Sequence, residues 1–156
     1  RYGFNNELIE VYKFRSMYVD QADAGANRLV TKDDPRVTRV GRFIRKTSLD
    51  ELPQLLNVLF GELSLVGPRP HAVNAKAANR LYGDVVGNYF VRHKVKPGIT
   101  GLAQVRGLRG QTLEDSDVTA RTSADLHYLE NWSLGLDLTI IARTAFHVLR
   151  APRSEF

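Results

Sequence analysis

Leu52, Leu55, Leu56, Leu59 and Phe60 recur at i, i+3, i+4, i+7 and i+8, the spacing that gathers apolar side chains on one face of an α-helix. Gly61 follows where a helix C-terminus favours a left-handed residue, so the segment is bounded as well as patterned. A helix with one buried apolar stripe is therefore expected from Leu52 to Gly61.

The rest of the chain is read around that helix. Residues 63–66 form a short strand pattern, stopped by Gly67-Pro68-Arg69-Pro70 because two prolines remove ladder donors and restrict their neighbours. Residues 8–15 are rich in β-branched and aromatic side chains and suit a strand with Ile9, Val11, Lys13 and Arg15 on one face. A second helix is expected over residues 72–82, closed by Gly83, and the basic run after Tyr89 turns at Pro97-Gly98 into an apolar–polar pattern over residues 99–105. A longer helix is expected from Thr112 to about Trp132. Ser133 and Asp137 then open a last helix carrying Leu136, Ile140, Ile141, Ala145, Val148 and Leu149. That wide apolar face has two readings, a helix buried in the core and a helix lying on a membrane surface. The polar residues 20–27 and the Asp- and Pro-containing residues 31–35 read as loop, the best candidate for a mobile segment.

The fold class that results is α+β: a single compact, mostly helical domain over residues 1–156 with a small β-sheet. The sheet is placed near Lys13 and in the strand before Pro68. A chain of 156 residues with 43% hydrophobic content supports one core. The absence of cysteine excludes disulfides and thiolate zinc sites, and the histidines show no ligand spacing. The net charge of +5 favours anionic partners: phosphorylated ligands, nucleic acid or an acidic membrane face. No nucleic-acid reading motif, P-loop or dinucleotide fingerprint is present. No apolar run reaches the length of a spanning helix. The chain enters a strand-like pattern within a few residues of Arg1, as expected of a piece of something longer, with any membrane anchor outside it.

Chemistry concentrates in Thr47-Ser48-Leu49-Asp50-Glu51-Leu52-Pro53-Gln54, where adjacent carboxylates stand at the mouth of the expected helix. Two capping readings compete with a functional one: a Ser48–Glu51 capping box, which would put Pro53 inside the helix, or Asp50 as N-cap, which leaves Pro53 in the first turn. The functional reading makes one carboxylate a nucleophile and the other a ligand for a divalent cation. A carboxylate attacks phosphorus only when the phosphate's charge is neutralised, so cations must be close. Magnesium suits one or two carboxylates completed by phosphate oxygens. The chain offers Lys13, Arg15, Arg45, Arg69 and Lys96 near short turns; Arg69 lies between two prolines that pre-organise its guanidinium. Asp125 reads either as a solvated helix charge or as an active-site acid.

These segments together resemble the bacterial sugar transferase family, the monotopic phosphoglycosyl transferases that move hexose-1-phosphate to polyprenyl phosphate. The resemblance runs in order through Lys13-Phe14-Arg15-Ser16-Met17, residues 47–54, Ser64-Leu65-Val66-Gly67-Pro68-Arg69-Pro70, Lys96-Pro97-Gly98-Ile99-Thr100-Gly101 and Asp125-Leu126-His127-Tyr128. It implies that Asp50 attacks the sugar-bearing phosphate of a UDP-hexose and expels UMP, and that polyprenyl (undecaprenyl) phosphate then takes the phosphosugar. Mg2+ on Asp50 and Glu51 would assist. The resemblance also implies that Lys13, Arg15, Arg69 and Lys96 handle phosphates and that Asp125 belongs to the site. It further implies a membrane surface as partner, the cytoplasmic face of the bacterial inner membrane as location, and a membrane helix preceding this catalytic domain. Glucose-1-phosphate or galactose-1-phosphate is the expected cargo, although Leu102, Arg106 and Gln111 depart from the residues usual in that branch. A non-catalytic scaffold of the same fold and a basic nucleic-acid-binding module are the alternatives.

Overall fold

The computed structural model describes residues 1–21, 34–108, 110, 112 and 114–150; most of the two polar loop segments anticipated above lies outside them. About half of the chain is helical, and the sheet is small. Helix α1 (Arg39–Thr47) opens at Thr38, whose Oγ1 accepts from the Gly41 amide at 2.8 Å, and ends at Ser48 in the left-handed region with φ 61°. The sequence reading had not anticipated this helix. A single 3-10 turn, Leu49–Glu51, leads into helix α2 (Gln54–Leu59). Strand β1 (Ser64–Val66) is followed by β2 (Lys76–Ala77) and β3 (Arg80–Leu81), then helix α3 (Tyr82–Val85) and a 3-10 stretch, Tyr89–Lys94. Strand β4 (Gly98–Thr100) and helix α4 (Leu102–Val105) precede the long helices α5 (Asp115–Glu130) and α6 (Leu134–Arg150).

Strand β1 pairs in parallel with β4, Ser64 opposite Gly98 and Val66 opposite Thr100. The expected strand before Pro68 is therefore present, with a partner more than thirty residues downstream. Glycine permits the crossing beyond it. A Cβ on Gly98 would lie 2.1 Å from the Gly67 amide nitrogen, and one on Gly101 would lie 2.2 Å from the Gly67 carbonyl oxygen. One apolar cluster, Val66, Leu102, Val105, Tyr128 and Ile140, sits where α4, α5 and α6 meet β1. A second joins Ala77, Tyr82, Tyr89 and Val118.

Four expectations are corrected. Residues 9–16 join no ladder, so the sheet does not reach Lys13. Their backbone is held instead by Asn57, which is fully buried: its Oδ1 accepts from Tyr12 N at 3.0 Å and its Nδ2 donates to Glu10 O at 2.7 Å. The expected helix over residues 72–82 is a hairpin. Ala78 and Asn79 both take positive φ, the turn that matches strand twist, and β2 pairs antiparallel with β3.

The third correction concerns α2, which is inverted relative to its pattern. Its buried residues are Gln54 and Asn57, while Leu52, Leu55, Leu56, Leu59 and Phe60 are exposed, Leu59 to 79%. Gly61 does close it in the left-handed region. The fourth concerns α6, which starts as expected with Ser133 Oγ accepting from Leu136 N, but is not buried in the core. Ile140 is its one fully packed side chain among the described residues, and Leu134, Leu138, Phe146 and Val148 face outward. The side chain of Leu149 lies outside the description. Burial as the cause of the apolar pattern is thus overturned for α2, whose inward positions are polar, while α6 packs one narrow stripe around Ile140 against the core and exposes the rest.

Candidate active site

The acid pair is presented by a change of chain direction. Ser48, a non-glycine residue in the left-handed region, ends α1, and the following 3-10 turn carries Asp50 and Glu51. Neither capping reading holds: Ser48 makes no side-chain cap bond to that turn, and α2 begins after Pro53, again without a side-chain cap. The acids face cations. Lys13 Nζ lies 2.9 Å from Asp50 Oδ2 and 3.4 Å from Glu51 Oε1. Arg69 forks onto Glu51, with Nη2 to Oε1 at 2.5 Å and Nη1 to Oε2 at 3.4 Å. Segment 9–16 brings Lys13 there, since Phe14 N donates to the Asp50 carbonyl at 2.9 Å.

Asp50 is 3% exposed and Lys13 covers it, whereas Glu51 opens onto a cavity of about 70 Å3 lined by Arg1, Val11, Lys13, Glu51, Gln54, Arg69 and Pro70. Burial alone would raise the Glu51 pKa, but the charge and hydrogen bonds of Arg69, then those of Lys13, pull it down to about 2. Glu51 is therefore anionic at any physiological pH. Of the expected period-two face, Val11 and Lys13 line the cavity although no strand forms, whereas Ile9 and Arg15 do not.

Other expected residues are placed differently. Arg45 donates from Nε to Ser16 Oγ at 2.7 Å, and its charge is felt by Asp50 and Asp34. Arg15 is exposed and does not line the cavity. Lys96 is exposed as well, its Nζ about where a Cβ on Gly61 would touch it, 3.5 Å away, past the end of α2. Asp125 is buried and does not touch the cavity. It pairs with Arg92, Oδ2 accepting from Nε at 2.8 Å and from Nη2 at 2.6 Å.

Arg92 was missed by the sequence reading, which saw only a basic run. It is 1% exposed and donates from Nη2 to the carbonyl oxygen of Arg69 at 2.7 Å. Its Nη1 lies 3.1 Å from His71 Nδ1, which also lies 2.8 Å from the Tyr89 hydroxyl. Guanidinium cannot accept, so Nδ1 accepts from both and the His71 proton resides on Nε2. Burial, then the Arg92 charge, holds the His71 pKa well below its usual value, which agrees with a neutral ring. Burial also pushes Tyr89 up to about 12 and keeps its proton in place. The one sequence signal for this network was the spacing of two prolines around Arg69, which marks a fixed backbone but not what fixes it.

Among the described residues no group of three or more metal-ligating side chains occurs. The available donor set is two neighbouring carboxylates, each with lone pairs beyond those that Lys13 and Arg69 use, which fits a hard cation completed by phosphate oxygens rather than a closed protein cage.

A family model described as bacterial sugar transferase matches residues 1–151. The chain is 52% identical over 144 residues to an undecaprenyl-phosphate glucose phosphotransferase of Komagataeibacter xylinus, covering 92% of this chain and 27% of that protein. It is 49% identical over 144 residues to exopolysaccharide production protein PSS of Rhizobium leguminosarum bv. phaseoli, covering 92% of this chain and 72% of that protein. A UDP-glucose:undecaprenyl-phosphate glucose-1-phosphate transferase of Klebsiella pneumoniae is 53% identical over 146 residues, 94% of this chain and 30% of that protein. The chain thus spans less than a third of the first and third of these relatives and nearly three quarters of the second.

Proposed function

This chain belongs to the bacterial sugar transferase family, and from that premise we propose that it transfers hexose-1-phosphate, with glucose the favoured hexose, from a UDP-sugar to polyprenyl phosphate. The observation that carries this reading is an acid pair bridged by Lys13, with Arg69 forked onto Glu51, beside one cavity that Glu51 lines. A nucleophilic carboxylate and phosphate-neutralising cations are the groups such chemistry requires, and they converge from three separate places in the sequence.

In the first step an Asp50 carboxylate oxygen bonds to the phosphorus bearing the hexose, the bond from that phosphorus to the UMP oxygen breaks, and UMP leaves with the electron pair. In the second, a phosphate oxygen of polyprenyl phosphate attacks the same phosphorus and the Asp50 carboxylate departs unchanged, leaving polyprenyl diphosphate hexose. Lys13 must release Asp50 as substrate arrives, transferring its ammonium to a phosphoryl oxygen; its side chain is 42% exposed and free enough to turn. Arg69 stays on Glu51 and keeps its positive charge beside the phosphate. Asp50 and Glu51 would hold Mg2+, which when bound neutralises phosphate charge. A membrane surface is the natural partner, since the acceptor is a lipid and α2 and α6 present apolar side chains outward. Among the described residues no helix is long and apolar enough to cross a membrane. The reaction reads as the priming step of exopolysaccharide or capsule synthesis at the cytoplasmic face of the inner membrane.

The test is UMP release from UDP-glucose with polyprenyl phosphate and Mg2+, together with mass spectrometry for a hexose-phosphate adduct on Asp50. Asp50→Asn should form no adduct and lose turnover. Full turnover in that variant would sink the covalent reading.

A further inference from the structure

Two polar side chains in the cavity are left unused by the acid-pair chemistry. Arg1 and Gln54 line the same wall as Lys13, Glu51 and Arg69. Lys13 and Arg69 are bonded to the acid pair, but the Arg1 guanidinium makes no hydrogen bond or ion pair with any described residue; its main-chain amine is what bonds, to the Ile9 carbonyl at 2.9 Å. The Arg1 guanidinium is partly desolvated and repelled by Arg69, with Glu51 attracting it. Gln54 is 5% exposed and lines the cavity, and its amide likewise has no partner among the described residues. The amide atoms still reach solvent at the cavity, so a ligand there would exchange that water for its own oxygens.

The charge sum points the same way. Arg1, Lys13 and Arg69 face Glu51 and the covered Asp50, so the cavity keeps a positive surplus. Its volume of about 70 Å3 leaves room for a phosphoryl group against these side chains. We propose that Arg1 and Gln54 form a phosphoryl subsite, Arg1 forking onto two phosphate oxygens and the Gln54 amide donating to a third. The inference rests on reading this cavity as a phosphoryl-transfer site, and it adds the two residues that would seat the phosphate while Lys13 exchanges Asp50 for substrate. The phosphoryl group could be that of a nucleoside diphosphate sugar or that of the lipid acceptor; both offer the same oxygens.

Calorimetric titration separates these sources, using inorganic pyrophosphate, UDP-glucose and detergent-dispersed polyprenyl phosphate against wild type, Arg1→Ala, Arg1→Lys and Gln54→Leu. Arg1→Ala should weaken binding tenfold or more, Arg1→Lys should recover part of that, and Gln54→Leu should weaken it severalfold. Loss confined to UDP-glucose and pyrophosphate supports the subsite and assigns it to the donor; loss confined to the lipid supports it and assigns it to the acceptor. Affinities within twofold of wild type for Arg1→Ala in every arm overturn it, as does the absence of binding by wild type in all three. A lowered melting temperature in Arg1→Ala also overturns it, because the guanidinium would then already have a structural partner. The reaction itself fails separately: Asp50→Asn that still releases UMP removes the covalent mechanism, while pyrophosphate binding still reports on Arg1.

Discussion

Arg92 Nη2 donates to the carbonyl oxygen of Arg69 at 2.7 Å, so a fully buried cation fixes the backbone of a cation at the cavity wall. Asp125 completes the link by neutralising Arg92. Asp125 is thus linked to the cavity wall through Arg92 and the Arg69 backbone. Asp125→Asn leaves a buried guanidinium uncompensated and should cost about 3–5 kcal/mol in urea denaturation. Arg92→Lys keeps the charge but loses the fork, and should lower kcat more than it changes the melting temperature. Equal losses from exposed control positions would contradict this assignment.

Acid should weaken the fold in two stages. The pKa of His93 is lowered by burial, then by Arg92, to about 4, and that of His71 is lowered as well, so the unfolded chain binds protons that the native one refuses. Stability from these rings is complete above the unfolded value near 6.5 and declines as pH falls below it. Glu51 behaves in the usual carboxylate sense: its contribution is present above about 4.5 and is lost as pH falls toward 2. That second loss is at most about 3 kcal/mol, reduced by solvent around the two-fifths-exposed Lys13 and Arg69. Denaturant titrations at stepped pH would show one decline between pH 6.5 and 4 and another below.

Backbone crossings should tolerate no side chain. A Cβ on Gly41 would meet the Ser16 carbonyl oxygen at 1.9 Å, and one on Gly98 would meet the Gly67 nitrogen at 2.1 Å. Gly41→Ala and Gly98→Ala should each destabilise by at least about 3 kcal/mol or prevent folding. Gly87→Ala, where nothing lies within 4 Å, should change stability by less than about 1 kcal/mol in the same thermal melts.

The outward face of α2 should be dispensable for folding. Leu59→Ser and Phe60→Ser replace side chains that are largely exposed, so each melting transition should stay within about 0.5 kcal/mol of wild type. Flotation with anionic phospholipid vesicles should fall in the double variant. Unchanged flotation, or unfolding, would show that the face has another use.

Much of the site was readable from residue chemistry. Asp50 and Glu51 read as neighbouring acids and Arg69 as a guanidinium held between prolines, and the fold brings Arg69 onto Glu51. The strand expected at residues 8–15 does not form because its backbone partners are an asparagine side chain and scattered main-chain groups of Arg1 and Asp50, which leave no pattern of their own. Residues 72–82 misled because the turn at Ala78-Asn79 lacks the glycine that usually announces it. Arg92 was invisible, since a buried arginine and a solvated one look alike until Asp125 stands beside it.

Local chemistry alone determined that a helix ends at Gly61, that Pro68 and Pro70 stiffen Arg69, and that adjacent carboxylates require cations. Those properties depend on torsions and charges within a few residues. Only the tertiary structure decided which face of α2 turns inward, which of the cations reach the acids, and that Asp125 serves Arg92. Such choices depend on groups far apart in the chain becoming neighbours, and periodicity records which side chains share a face without recording what that face meets.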